Sequence, residues 1–228
     1  MNNPFSIKFE IGSPDTSIMV VLIKDLILGK STKEFEEYEQ SVFKEIRAKN
    51  NLEDLRHDTL LQSYRAMHWA YGIDPTKKRG SSEAVLRRVL QGENLWRISD
   101  LVDIVNLASA YHKIPIGLID ADKLEGQLTL RNAREGEIFQ RIGGESIECR
   151  GREIVLADDV GIVCYGYAIH DSDRTKVTLA SKRVLLLHYG SNAVTKEILT
   201  QATNYTLRLI KKWVECKHHE PIRFGSSI

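Results

Sequence analysis

ISDLVDIVNLASAYHKIPIGLID, residues 98–120, joins a helix to a strand across a single lysine, and its polar side chains sit where packing alone would not put them. Ser99 offers an N-cap hydroxyl and Asp100 an acid for the first turn. No Gly or Pro follows before Lys113, so the spacing predicts a helix. Ile98, Leu101, Val102, Val105 and Ala108 share one apolar face while Ile104 and Leu107 point elsewhere, which buries the helix nearly all round. Asp103 and Asn106, three residues apart, share a side of it. A buried polar pair either ties a helix to neighbouring backbone or faces a pocket. Ile114 to Asp120 then reads as a short buried strand, with Pro115 at its start and Gly117 where a side chain would block the close approach of a ligand.

At 228 residues, 42% hydrophobic and 28% charged, with no shift in composition along its length, the chain is expected to form a single globular domain. A net charge of +1 argues against a general nucleic-acid coat and leaves room for a local basic patch. The apolar run from Ile18 to Ile23 is too short to cross a membrane and the first residues lack the charged start of a signal peptide, so a cytoplasmic protein without membrane contact is expected. Cys149, Cys164 and Cys216 fit neither a disulfide framework nor a Cys-x-x-Cys knuckle and are expected as free thiols. Cys216, His218, His219 and Glu220 crowd the C-terminal end, where a tail is expected rather than a metal site. Phosphate-loop, dinucleotide, zincin and serine-elbow motifs are absent, and neither metal nor cofactor is expected.

Phe5, Ile7 and Phe9 alternate ahead of a Gly-Ser-Pro-Asp turn and the β-branched run Ser17 to Asp25, a hairpin pattern. Ser31 and Glu34 form a capping box for a helix through Phe35, Tyr38, Val42 and Ile46. Asn51 and Asp54 start a second helix running from Leu55 to Tyr71. Ser81 or Ser82 caps a short helix with Val85, Leu86, Val89 and Leu90 inward and Arg87 and Arg88 outward. From Lys77 to Arg97 six cations face only Glu83 and Glu93, which from the residues alone reads first as a solvated face, with phosphate contact as the alternative. Short strands punctuated by glycines follow from Gln127 to Leu187, and a last helix spans about 193–215. The polar run His170 to Thr175 reads as a pocket rim or a surface loop. The class is α+β: a single domain with a curved, largely antiparallel sheet flanked by helices.

Four blocks, SSEAVLRRVL at 81–90, LVDIVN at 101–106, IPIGLID at 114–120 and DSDRTKVT at 171–178, resemble the tRNA-editing domain of the phenylalanyl-tRNA synthetase beta subunit and its free-standing relatives. The resemblance implies residues 61–216 as the editing-like domain, with 1–60 packed on it and 217–228 as a tail. It implies a trans-editing hydrolase that deacylates tRNA carrying a non-cognate or non-proteinogenic amino acid, without a metal. The alternative is a non-catalytic tRNA- or nucleotide-binding module with the same fold. The family's pocket asparagine and the chain around its proline map onto Asn106, Pro115 and Gly117; with the chemistry of the neighbouring residues added, the catalytic candidates are Asn106 and Asp103. The pocket candidates are Pro115, Gly117, Asp120, Ser81, Ser82, Glu83, His170, Asp171, Asp173 and His188, and the tRNA contacts are Lys77, Lys78, Arg79, Arg87 and Arg88. Editing domains commonly carry threonine before the asparagine and histidine two residues after the proline, where this chain has Val105 and Gly117. Their tyrosine-sensing glutamate has no counterpart at Leu187 or His188.

Overall fold

A computed structural model describes residues 5–11 and 16–225. In chain order the elements are β1 (Ile7–Phe9), β2 (Ser17–Ile27), α1 (Lys33–Lys49), α2 (Thr59–Ala70), α3 (Ser81–Leu90) and α4 (Asp100–His112). Next come β3 (Ile116–Asp120), β4 (Leu128–Asn132), β5 (Glu135–Gln140), β6 (Ser146–Arg150), β7 (Ile154–Ala157), β8 (Ile162–Tyr165) and β9 (His170–Asp171). The last are β10 (Val184–Gly190), α5 (Lys196–Trp213), β11 (Glu215–His218) and β12 (Ile222–Gly225).

The α+β class and the mainly antiparallel pairing are as expected, but the strands divide between two sheets and a hairpin. The central sheet runs β11-β2-β10-β3, with β12 also on β2; a second runs β1-β4-β7-β8-β9, and β5 pairs with β6 alone. The reason lies in the strands themselves. Ile18 to Ile23 and Val184 to Leu187 are continuous apolar runs, a pattern that demands cover on both faces. One face of the central sheet carries Val21, Ile23, Leu118 and Leu186 into a core closed by α1, α3, α4 and α5. The other carries Leu22, Ile119, Leu185, Leu187 and Tyr189 into a second core against the other sheet. The single curved sheet is thereby replaced by two cores with a shared wall.

Three local expectations also change. The N-terminal hairpin does not form: β1 pairs in parallel with β4, Ile7 opposite Leu128, while β2 pairs with β10, and the turn at 12–15 lies outside the described residues. The second helix is broken, with a 3-10 turn at Asp54–Arg56 followed by α2, which Asp58 caps by accepting the Leu61 amide. The C-terminal stretch is no tail through residue 225, because β11 and β12 pair with the outer edge of β2 and satisfy backbone groups that would otherwise stand open.

Candidate functional site

Ser99 caps α4 as expected, its hydroxyl accepting the Val102 amide at 3.4 Å. Asp103 is 1% exposed and its carboxylate is engaged locally, accepting the Ile98 amide at 2.9 Å and the Ser31 hydroxyl at 2.7 Å. Ser31 is therefore unavailable as a cap, and Thr32 caps α1 in its place. Asn106 is partly exposed rather than buried, and is not among the partners of Asp103. The expected buried pair thus separates into a structural tie and an accessible amide. Asp103→Ala should lower stability by about 1 kcal/mol, since it removes the buried carboxylate that holds the Ser31 hydroxyl and the Ile98 amide, both of them part-buried groups that water can partly satisfy. Asn106→Ala should stay within about 0.5 kcal/mol of the parent. Thermal unfolding of the two variants checks both.

At the start of α3 the expected pocket group is built into a charge cluster. Glu83 accepts from Arg65 at 2.9 Å and Arg87 at 2.7 Å, with Arg79 at 3.5 Å. Burial pushes its carboxyl upward, but Arg65 and Arg87 outweigh that and hold it below the usual range. Glu83 thus anchors three arginines. Gly80, not a serine, occupies the cap position; Ser82 is buried and the Ser81 hydroxyl is enclosed without a partner among the described residues. Arg88 pairs with Glu93 and lies over the Trp96 ring at 4.7 Å. Of the five cations expected on RNA, Lys77 and Lys78 alone make no salt bridge among the described residues.

Asp120, Asp173 and His188 are likewise drawn into the scaffold. Asp120 accepts the Ser181 hydroxyl at 2.6 Å and the Asp122 amide at 3.2 Å, closing a turn after β3. Asp173 pairs with Lys176 at 2.7 Å. His188 points at α5, where its Nε2 meets the Thr206 hydroxyl at 3.0 Å, and burial lowers its pKa to about 3. Period-two alternation sends Tyr189 to the opposite face, toward Gly117.

Around Gly117 the structure does bring polar groups together. A Cβ at that position would lie 3.1 Å from the Tyr189 ring, and 3.5 Å from both the Tyr189 hydroxyl and Asp171 Oδ1. Gly117 pairs with Leu187 on β10, and Pro115 is buried just before it, its carbonyl accepting the Tyr189 amide at 3.0 Å. Asp171 sits on β9 opposite Cys164 of β8. Burial raises the Asp171 carboxyl to about 7 against the opposing pull of the Leu118 amide and the Cys164 thiol. Tyr189 is fully buried, and its hydroxyl has no aligned partner among the described residues. Its pKa stands well above the usual value through burial and the neighbouring Cys164 and Asp171, so it remains a protonated donor. Tyr189 and Cys164 were not foreseen, because the apolar strand reads as ending at Leu187; extending its alternation by one step finds Tyr189.

The other face of the β8–β9 pair carries Tyr165 and His170, whose rings stack at 6.4 Å. Burial, then Arg141 and Lys78, lower His170 to about 4. Lys78 lies 4.8 Å over the Tyr165 ring. Beside it opens a cleft of about 570 Å³ between the end of α2 with its following turn and the β6–β7 segment. Lys77 and Lys78 line it, together with Trp69, Arg150 and Arg152, which the sequence reading passed over.

The model of the B3/4 domain matches residues 63–214, two thirds of the 228. The chain belongs to the B3/4 domain family. Among its relatives, the phenylalanine–tRNA ligase beta subunit of Bartonella henselae is 31% identical over 109 residues, 48% of this chain and 13% of that protein. That of Chromobacterium violaceum is 32% identical over 103 residues, 45% of this chain and 13% of that protein. The B3/4 chain thus matches only about an eighth of the length of these relatives. In fold it is similar to an N-terminal fragment of the phenylalanyl-tRNA synthetase beta subunit from Pyrococcus horikoshii. The TM-score is 0.51 at 11% identity, over 99% of this chain and 55% of the fragment. Gly117, Asp171 and Tyr189 fall inside the matched residues.

Proposed function

We propose that this B3/4 protein is a trans-editing hydrolase that deacylates tRNA carrying a non-cognate amino acid, a substrate met in the cytoplasm. The observation that carries the reading is the paired acceptor and donor at Gly117, where Asp171 Oδ1 and the Tyr189 hydroxyl lie equally far from the point a Cβ would occupy. An aminoacyl ester is already activated. Hydrolysis needs the ester held, a water oriented and the developing oxyanion stabilised, with no metal or covalent nucleophile. A carboxylate that titrates near 7 is suited to take the proton of the attacking water. The Tyr189 hydroxyl would donate to the ester oxygen.

A panel of tRNAs, each mischarged with a different amino acid, tests the reading by release of free amino acid. Hydrolysis of one or more members with correctly charged tRNA spared supports it. A second reading, a tRNA-binding module without chemistry, is favoured by the closeness of the Tyr189 ring, which at 3.1 Å occupies the space a side chain at 117 would need. Retained tRNA binding with no member of the panel hydrolysed would select that reading.

A further inference from the structure

We propose that the cleft between the end of α2 and the β6–β7 segment is a nucleotide site, taking an aromatic base on Trp69 and its phosphate on Lys77, Lys78 and Arg152. Trp69 is 56% exposed at the rim, an unusual place for a bare indole, while Ile73, Ile147 and Tyr165 form an apolar floor. The volume of about 570 Å³ suits a mononucleotide.

The charge balance favours an anion once engaged groups are removed. Glu153 accepts the Arg150 amide at 2.9 Å, the Arg150 Nε at 3.0 Å and the Arg152 amide at 3.3 Å. Asp74 is held by the amide and hydroxyl of Thr76 at 2.9 and 2.6 Å. Arg150 also donates to the Gly72 carbonyl, so it is fixed in place. Lys77, Lys78 and the Arg152 guanidinium make no salt bridge among the described residues; of the cleft's carboxylates Glu153 is paired with Arg150, which leaves these three cations against Asp74 and Glu148. Lys78 is half-buried, and burial lowers its pKa, so a bound phosphate would relieve a desolvated charge. The turn is shaped for this arrangement. Gly72 has φ +69, and a Cβ there would meet the Arg152 side chain at 2.6 Å, so only glycine lets that arginine lie across the turn.

Base and phosphate occur both in a free mononucleotide and at the end of an RNA strand. For the RNA source the proposal rests on the tRNA reading above; the chemistry of the cleft does not. The test is calorimetric titration of the intact protein with AMP, CMP and the trinucleotide cytidylyl-cytidylyl-adenosine. Saturable binding of mononucleotide and trinucleotide alike, or of the trinucleotide alone, supports the site, the second result assigning it to an RNA end. Trp69→Ala should weaken binding about tenfold, the loss of one stacked base. Lys77→Gln and Arg152→Gln should each flatten the salt slope of trinucleotide binding by about 0.7. Trp96→Ala, the other exposed indole, should change nothing. All four side chains are partly or fully exposed, so folding is not at stake. No binding by any of the three ligands, or binding indifferent to Trp69→Ala and Arg152→Gln, overturns the site even if mischarged tRNA is hydrolysed. Binding with the expected variant pattern, but with no tRNA deacylated, keeps the site and removes the hydrolase reading.

Discussion

Asp171→Asn is expected to lower deacylation of the susceptible tRNA by about 10²–10⁴-fold, the usual contribution of a positioned general base, while leaving tRNA affinity unchanged. The same substitution should stabilise the protein at pH 8. The carboxyl titrates at about 7 in the folded chain against an ordinary 3.8, so between those values the folded state holds a proton that the unfolded state has released. Its contribution to stability is therefore fully present below about pH 3.8 and is lost as pH rises through about 7. Asparagine does not ionise and removes that alkaline penalty. Melting temperatures at pH 5 and pH 8, read beside the rates, check the pair of effects. Lower stability at pH 8 together with a lower rate would make Asp171 a structural group.

Glu83→Ala should produce the largest loss of stability. Removing one partner of a buried ion pair costs about 3–5 kcal/mol, because the other charge stays behind. Here the Arg65 and Arg87 side chains are 24% and 26% exposed, so water recovers part of that. A loss of about 2–3 kcal/mol is expected, which for a chain of this size lowers Tm by about 4–12 °C. Arginine contacts hold the Glu83 carboxyl below its ordinary value, so its contribution is present above the unfolded-state pKa and lost as pH falls through the folded one. The deficit should accordingly shrink in acid. Thermal scans from pH 3 to pH 8 measure it. A variant that melts like the parent yet fails to deacylate would return Glu83 to the substrate pocket.

What could be read ahead of the structure was what is local. The period of α4, the cap at Ser99, the proline and glycine around β3 and the helix of residues 81–90 all follow from neighbours in sequence. Strand partners do not: β1 meets β4 across more than a hundred residues, and nothing in Phe5, Ile7 and Phe9 chooses between that edge and β2. The continuous apolar runs did carry the sign of burial on both faces, and so of two cores rather than one. At the site, Asp171 was legible only as one of two acids in a polar run. The choice between Asp171 and Asp173 rests on where β9 ends, since Asp171 still pairs with Cys164 whereas Asp173 has passed into the loop and found Lys176. The partners of Glu83 and Asp120 were not legible for a common reason: a buried carboxylate reads the same in sequence whether an arginine, a turn or a substrate satisfies it.

The most direct measurement of the central claim is the single-turnover rate of deacylation between pH 5 and pH 9, on whichever mischarged tRNA the panel identifies, for the parent and Asp171→Asn. With Asp171 as the base the parental rate rises with pH and levels off with a midpoint near 7, and the variant loses both the rate and the inflection. A parental profile without that inflection, matched in rate by Asp171→Asn, would contradict the assignment of the chemistry to the Gly117 site.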